Sequence, residues 1–535
     1  MLAAVPAISF GPLLPELILV AAGCAVLLAA QAGHDAVRRA APWLALGGVI
    51  AAIMALRIPG FLGGEPAAMV FRGGMWFGSL AEYVRISALV FGLIAVLVNW
   101  AQPNDRERGE YFSMMLFSLA GLMLVGASSD LLVLFMALEL VSIPTYIMVA
   151  LSRRNPLALE GGTKYFYLGA MSAAITAFGF SYIYGVTGSM SLDEDALRRF
   201  VMVLADPGEP AYFIATIGLL VSLTGLFFKI AAVPLHFYIA DVYQGSASPV
   251  AGFLGFVPKL AGLAAIFKII SLTNWNTYDG PLFWILWLAA VASMTVGNVL
   301  ALRQTNIKRM LGYSGIAHSG YMLVGILAAQ TAGPSMMSNG PAAVLYYVLI
   351  YGLANLGAFA LLGLLRVRGR PCETLHDIAG ILRTYPAIAL LMALAMFTLM
   401  GLPPTPGFWG KLSLFGSALS AADAVPAELR NWMIALVIIA VLNSALAAAY
   451  YLRVIAAVLL FENDEPAEPS QREAPMFGAL LCGFLLLFFA FYPKPIMRIG
   501  RHAAQNLHFP SAIESVENSR TPPADLPAVE PDTRI

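Results

Sequence analysis

A chain of 535 residues with 59% apolar and only 12% charged side chains, at a mean hydropathy of +0.78, cannot cover a water-facing surface of its size, where about 25% charge is usual. Thirty-one basic residues balance thirty-one acidic ones, so the net charge offers nothing to nucleic acid or to an anionic surface. A soluble enzyme, a disordered chain and a disulfide-stapled secreted domain are excluded, and Cys24, Cys372 and Cys482 are too scattered for a metal knuckle.

A hydrocarbon layer of about 30 Å takes about 20 residues of helix. That ruler finds fourteen apolar stretches, in chain order near 12–32, 41–57, 84–101, 111–128, 131–152, 164–188, 211–233, 249–272, 282–302, 309–331, 341–366, 385–421, 429–461 and 475–496. None alternates in the ten-residue manner of barrel strands. The expected fold class is therefore all-α, a polytopic membrane protein with about 14 transmembrane helices. Odd-numbered loops carry fifteen Lys and Arg against six in even-numbered loops, Arg85 being counted among the six. This bias predicts odd loops in the cytoplasm and both termini on the outer side. The Pro-, Ser- and Glu-rich run from Pro510 is expected to be disordered.

Apart from Lys494 at the very end of the last stretch, five lysines fall inside the stretches: Lys164, Lys229, Lys259, Lys268 and Lys411. An ionisable group at mid-membrane costs about 2.5–3.5 kcal/mol, so the last four together with Glu139 impose roughly 12–18 kcal/mol before compensation. Glu139, Lys229, Lys259 and Lys411 each lie within five residues of a proline, namely Pro144, Pro234, Pro258 and Pro406. Proline opens the helical ladder, and in lipid such a break is tolerated only against protein or an internal water cavity. The coincidence places these charges on a hydrated interior seam. Lys268 follows Lys259 by nine residues, half a turn round the helix, and is expected to snorkel to the interface; Lys164 invites the same reading.

The fourth to eighth and ninth to thirteenth stretches form two blocks of five, each interrupted in its fourth member, at Val233-Pro234-Leu235-His236 and at GLPPTPGFWGK. An odd number of helices per copy requires the copies to be inverted, and paired broken helices point to a transport site at mid-membrane. A poorly solvated lysine holds its proton only while a carboxylate is near, so a row of them is a relay switched by electrostatics. In that scheme Glu139 modulates Lys229, Lys259 is central, Lys411 is terminal toward the outer side, and His236 and His318 bridge through water. Glu16 and Asp241 read as helix-end or packing residues, and Tyr146, Tyr165 and Tyr321 as interface or core. The glycine-rich stretches match no phosphate-binding loop or dinucleotide fingerprint.

The segments LELVSIPTYIMVAL from 138, EGGTKYFYLGA from 160, FKIAAVPLHFYIADVYQG from 228, ALRQTNIKRMLGYSGIAHSGYMLVG from 301 and GLPPTPGFWGKL from 401 resemble the proton-pumping, antiporter-like membrane subunits of respiratory complex I. The resemblance covers roughly residues 10–500. It implies a fourteen-helix antiporter-like fold with two inverted five-helix repeats and broken helices seven and twelve. It carries the family's helix-five glutamate onto Glu139 and its lysines of helices seven, eight and twelve onto Lys229, Lys259 and Lys411. It also implies other membrane-arm subunits as partners, protons as the transported ion, and no cofactor in this chain, with NADH, FMN, iron–sulfur clusters and quinone handled by partner subunits. Two departures stand out: DVYQGSASPV lacks a loop proline of the common DVYxGAPxPV, and the usual AYSS reads GYSG at 312–315. Neither is expected to touch the proposed charges.

The expected organisation is 1–110, three N-terminal helices; 111–272 and 282–461, the two repeats; 475–500, a C-terminal helix; and 501–535, a disordered tail. The competing functions are a subunit of a multi-subunit Na+/H+ antiporter or membrane-bound hydrogenase, and a membrane scaffold whose buried pairs only hold helices together.

Overall fold

The computed structural model describes residues 10–31, 35–56, 69–70, 74–101, 107–152, 155–278, 280–330, 333–462, 467–470 and 473–505. A short 3-10 turn at Gly11–Leu13 leads into α1 (Leu14–Gln31), α2 (Asp35–Ala55), α3 (Ser79–Asn99), α4 (Arg108–Ala127), α5 (Leu131–Leu151), α6 (Pro156–Thr187) and α7 (Glu194–Leu204). Then come α8 (Pro210–Ile230), α9 (Ile239–Gly245), α10 (Ser248–Leu254), α11 (Val257–Ser271), α12 (Gly280–Leu302), α13 (Ile307–Leu327) and α14 (Gly340–Leu364). The chain continues through α15 (Ile381–Thr384), α16 (Pro386–Met400), α17 (Pro406–Ala421), α18 (Ala427–Leu459), α19 (Glu473–Phe491) and α20 (Lys494–Gln505).

Eleven of the described helical segments are long and apolar enough to cross a membrane, the α10–α11 run Ser248–Ser271 counting as one and, but for Lys268, buried inside the protein. The other three apolar stretches of the sequence fall on α2 and α13, each 21 residues, and on the broken pair α16–α17. The fold is all-α and polytopic; its strands are two or three residues long. Met69–Val70 (β1) pairs antiparallel with Met75–Trp76 (β2), and Leu365–Val367 (β3) lies between Arg370–Pro371 (β4) and Glu468–Pro469 (β5).

Helix starts follow local chemistry. Asp130 accepts from the backbone N–H of Leu132 (2.8 Å) and Val133 (3.2 Å), and Asn155 and Asn339 cap α6 and α14 just ahead of a proline in the first turn. The helices then pack through small residues, which matters where lipid supplies no hydrophobic drive. At Gly297 a Cβ would lie 2.6 Å from the Ala317 nitrogen, so α12 and α13 touch backbone to backbone.

Two expectations change. Arg85 is not a loop charge: it lies within α3, buried, and grips both carboxylate oxygens of Glu16 at 2.7 Å while also donating to the Pro12 carbonyl. Glu16 is thus a packing residue through a bidentate pair. Lys268, in the last turn of α11, is half-buried, and its ammonium donates to the carbonyls of Gly126 (2.9 Å) and Ser128 where α4 ends. The C-terminal region stays helical to Gln505, since Ile496, Gly500, Ala503 and Ala504 recur on one face and are buried. The disorder expected from Pro510 lies outside the described residues.

The two helix breaks share a local geometry. α8 ends in Ala231 (φ 56°) and α16 in Gly401 (φ 82°), both left-handed, and a cis-proline follows three residues later in each, Pro234 and Pro404. A left-handed residue turns the chain away from the helix axis and frees the last carbonyls. Those carbonyls, of Ile230 and Met400, face the site.

Candidate functional site

Glu139 on α5 and Lys229 on the last full turn of α8 form an ion pair of 2.9 Å, with the lysine side chain 4% exposed and the glutamate 19%. The ammonium also donates to Ser142 Oγ at 2.6 Å, and Ser142 in turn donates to the Leu138 carbonyl at 2.7 Å. Pro144 lies inside α5 one turn beyond Glu139. Tyr146, Tyr165, Phe228 and Tyr238 close this end with stacked and edge-on rings, and Tyr238 donates to the Phe228 carbonyl at 2.8 Å.

Lys259 on α11 is 1% exposed. Its Nζ donates to the Ile230 carbonyl (3.1 Å), the Gly315 carbonyl (2.5 Å) and Ser319 Oγ (2.5 Å). The α8 break supplies the first acceptor and α13 the other two. Gly262, one turn after Lys259, allows the approach: a Cβ there would sit 2.9 Å from Lys229 Cβ and 2.8 Å from Ile230 Cγ2. The Tyr351 ring centroid lies 5.3 Å from Lys259 Nζ and 4.8 Å from the His318 ring, so it stands between the two groups. Here one departure from the family motif does touch a proposed charge. The Gly315 carbonyl that Lys259 meets is backbone and independent of residue type, but a Cβ at 315 would lie 2.9 Å from the Tyr351 hydroxyl and 3.7 Å from Lys259 Nζ.

His318 is 1% exposed and bonded at both nitrogens, Nδ1 to Tyr347 Oη at 2.6 Å and Nε2 to Tyr451 Oη at 2.8 Å. Ser314 shares a hydrogen bond with Tyr451. The Tyr451 ring packs on Tyr450, whose hydroxyl donates to Asn298 Oδ1 (2.9 Å), and Asn298 Nδ2 donates to Tyr321 Oη (3.2 Å). The Tyr321 ring then lies 4.9 Å from Lys411 Nζ. Lys411, 4% exposed on α17, donates to the Met400 carbonyl (2.8 Å) and to Ser444 Oγ (3.0 Å). The second break thus holds Lys411 as the first holds Lys259, by a carbonyl that helix termination left unpaired.

His236 stands apart. Its Nδ1 faces the Pro234 carbonyl at 3.3 Å and its ring packs on Phe237. Sequence reasoning missed Ser319, Tyr347, Tyr351, Tyr450, Tyr451 and Asn298, and assigned Tyr321 to the core. Only Ser319 carried a local signal, as the neighbour of His318. Among the described residues, the buried hydroxyls of Tyr146 and Tyr351 have no hydrogen-bond partner. Among the described residues no group of three or more His, Cys, Asp or Glu is arranged to hold a metal ion.

At one end of the bundle a second charge cluster clasps α9. Asp241 accepts from Lys164 (2.7 Å) and from Arg309 (2.7 Å), Arg309 also reaches Gln244 (2.9 Å), and Lys308 pairs with Glu373 (3.1 Å) while donating to the Gln244 carbonyl (2.7 Å). Burial opposes the charge on Asp241, but the hydrogen bonds from Lys164 and Arg309 outweigh it and hold the carboxyl below the usual range. This stabilisation is present above the unfolded-state pKa and is lost as pH falls through the depressed folded value. Asp241→Asn is expected to lower stability by only about 1 kcal/mol, because the pairs are partly exposed. Thermal unfolding at low and high salt checks it: the deficit should shrink at high salt, and a salt-independent deficit would show that packing is responsible.

Fold and site together define a class: a multi-helical membrane protein with a buried row of amines, imidazole and hydroxyls held at two helix breaks, an architecture for moving ions. Residues 128–446 match the family model described as NADH:quinone oxidoreductase/Mrp antiporter, TM. The NADH-quinone oxidoreductase subunit N of Trichlorobacter lovleyi is 35% identical over 482 residues, covering 89% of this chain and 92% of the relative. That of Paramagnetospirillum magneticum is 32% identical over 512 residues, covering 94% and 98%. A chain of respiratory complex I from Thermus thermophilus superposes with a TM-score of 0.72 at 30% identity, covering 90% of this chain and 98% of that one. A chain of the Mrp complex from a Dietzia species shares the fold at a TM-score of 0.74 and 20% identity. The chain belongs to the NADH:quinone oxidoreductase/Mrp antiporter membrane family, alongside its subunit N members. Membership implies a multi-pass protein of the bacterial inner membrane.

Proposed function

We propose that this chain is subunit N of a proton-pumping NADH:quinone oxidoreductase, moving protons across the membrane while quinone is reduced elsewhere in the complex. The observation that supports it most is the row from Glu139–Lys229 through Lys259 and His318 to Lys411, buried from Lys229 onward, with Lys259 and Lys411 anchored on carbonyls freed by the two breaks. In this reading Glu139 controls the charge on Lys229, and Lys259 is the central store. His318, Tyr451, Tyr450, Asn298 and Tyr321 connect toward Lys411, the terminal group. Lys229 to Lys259, Lys259 to His318 and Tyr321 to Lys411 have no direct hydrogen bond between side chains, the last being a ring contact. Ordered water, at the Tyr146 and Tyr351 hydroxyls among other places, would complete these steps. His236 is the group at the first break that exchanges with this row through water.

The loop charges orient odd loops to the cytoplasm and both termini outward. The matched left-handed ends of α8 and α16 support two inverted five-helix repeats, 111–272 and 282–461, after an N-terminal segment 1–110 and before the helix within 475–500. NADH, FMN, iron–sulfur clusters and quinone then belong to partner subunits, and this chain does no redox chemistry of its own.

Inverted vesicles carrying the intact complex test the assignment. NADH should acidify their lumen without any sodium requirement, and removal of this chain should abolish that acidification. Sodium-dependent collapse of a proton gradient, with no response to NADH, would assign the chain to an antiporter instead.

A further inference from the structure

Three buried polar atoms without a partner among the described residues fall in one seam: the hydroxyls of Tyr243 and Tyr351 and Nδ2 of Asn355, each on a residue 2% exposed or less. Tyr351, Asn355 and Phe359 follow at spacings of four on α14 and so share a face. The Tyr243 ring on α9 meets Phe359 edge-on, with centroids 5.5 Å apart at 81°. Along the same seam, Lys308, Gly312, Gly315 and Ser319 of α13 follow at spacings of four, three and four, again one face. The glycines let the polar groups in. A Cβ on Gly312 would lie 3.5 Å from the Tyr243 ring, and one on Gly315 would lie 2.9 Å from Tyr351 Oη and 3.7 Å from Lys259 Nζ. A Cβ on Gly255, four residues before Lys259, would collide with Asn355 Nδ2. The order along the seam is therefore Tyr243, Asn355, Tyr351, Lys259. Its far end lies where Lys308 donates to the carbonyls of Gln244 (2.7 Å) and Ser246 (3.0 Å) and pairs with Glu373, whose side chain is 24% exposed.

A buried donor or acceptor without a partner costs about as much as a lost hydrogen bond, and phenylalanine at 243 and 351 with leucine at 355 would fill the same space without that cost. Polar groups gathered in this way take ordered water as their partner. Four residues of α14 advance about 6 Å, a gap that one water bridges with two hydrogen bonds of about 2.9 Å. We infer, on the proton-pumping reading above, that Tyr243, Asn355 and Tyr351 carry a file of ordered water to Lys259 and are the residues by which the relay takes up protons from the cytoplasmic end. As an ammonium, Lys259 has all three N–H groups engaged, by Ile230, Gly315 and Ser319. Once it has passed one proton toward His318, the amine has a lone pair for the proton of the water on Tyr351. That water takes a proton from the one on Asn355, and the last is supplied past Tyr243 from the cytoplasmic end. Only N–H and O–H bonds break and form, so no oxidant or reductant is needed.

NADH-driven acidification of inverted vesicles carrying the intact complex tests this, compared in ordinary and heavy water. Asn355→Leu, close in shape but apolar, should slow acidification about tenfold in an assembled complex and enlarge the isotope effect, because proton delivery becomes limiting. Asn355→Ser, polar and small enough to admit a further water, should recover most of the rate. Tyr243→Phe deletes one oxygen, keeps the ring on Phe359 and should act in the same direction as Asn355→Leu. A wild-type rate in assembled Asn355→Leu, slowing with an unchanged isotope effect, or no recovery in Asn355→Ser overturns the proposal. If Asn355→Leu does not assemble, the rate and isotope effect of Tyr243→Phe decide by the same criteria. Lys259→Met separates the two levels. If it is silent while Asn355→Leu and Tyr243→Phe pump normally, the relay stands and the uptake file falls; if it pumps normally, both fall.

Discussion

Lys259→Met is expected to leave the complex assembled and to reduce NADH-driven proton translocation at least about tenfold, the effect of removing one obligatory protonation site. Methionine is unbranched, flexible and apolar, so it can occupy the lysine channel without repacking α11. The acceptors it abandons are not both stranded, because the single Ser319 hydroxyl proton lies within reach of either the Ile230 or the Gly315 carbonyl. Loss of a desolvated cation offsets part of the cost of its lost hydrogen bonds, so stability should change little. Dye-monitored acidification of inverted vesicles, with native electrophoresis of the solubilised complex, separates the two readouts. Normal pumping by the assembled variant would remove Lys259 from the relay. Loss of assembly together with pumping would favour the scaffold role.

The pair Glu139 and Lys229 calls for a different experiment, since each partner stabilises the other. Glu139→Gln removes the counter-charge and leaves buried Lys229 with only neutral acceptors, Ser142 and the amide oxygen, and should cost about 3–5 kcal/mol, the usual consequence of breaking a buried pair from one side. Lys229→Met should cost less, because Glu139 is 19% exposed and can be partly hydrated. The double variant should recover much of the loss, with a coupling energy of about 2–3 kcal/mol between the sites. Pumping should stay low in all three. Thermal unfolding of the purified complex gives the cycle, and additive costs would show that the two groups do not sense each other.

Much of this architecture was legible in the chain. Transmembrane stretches announce themselves because lipid tolerates only continuous apolar helix, and each of the fourteen coincides with a helix or a broken helix. Glu139, Lys229, Lys259 and Lys411 stood out for the same reason: a charge in oil is conspicuous in composition. The prolines marked both breaks. Less visible were Asn298, Tyr450 and Tyr451, since a tyrosine or asparagine in an apolar helix is unremarkable until its partner is known. Those partners lie far away in sequence: Tyr450 is 152 residues from Asn298, and Tyr451 is 133 from His318. The loop-charge count placed Arg85 wrongly because Glu16, which neutralises it, is 69 residues upstream.

The amino-acid order alone determined that the chain is helical, where it crosses the bilayer, and which charges it keeps there, because each follows from the local cost of exposing polar groups to hydrocarbon. Which carbonyls receive the lysines and which hydroxyls join His318 to Lys411 were decided only by packing. Hydrogen bonds and ion pairs act over about 3 Å, and only tertiary contact brings residues from different helices within that reach.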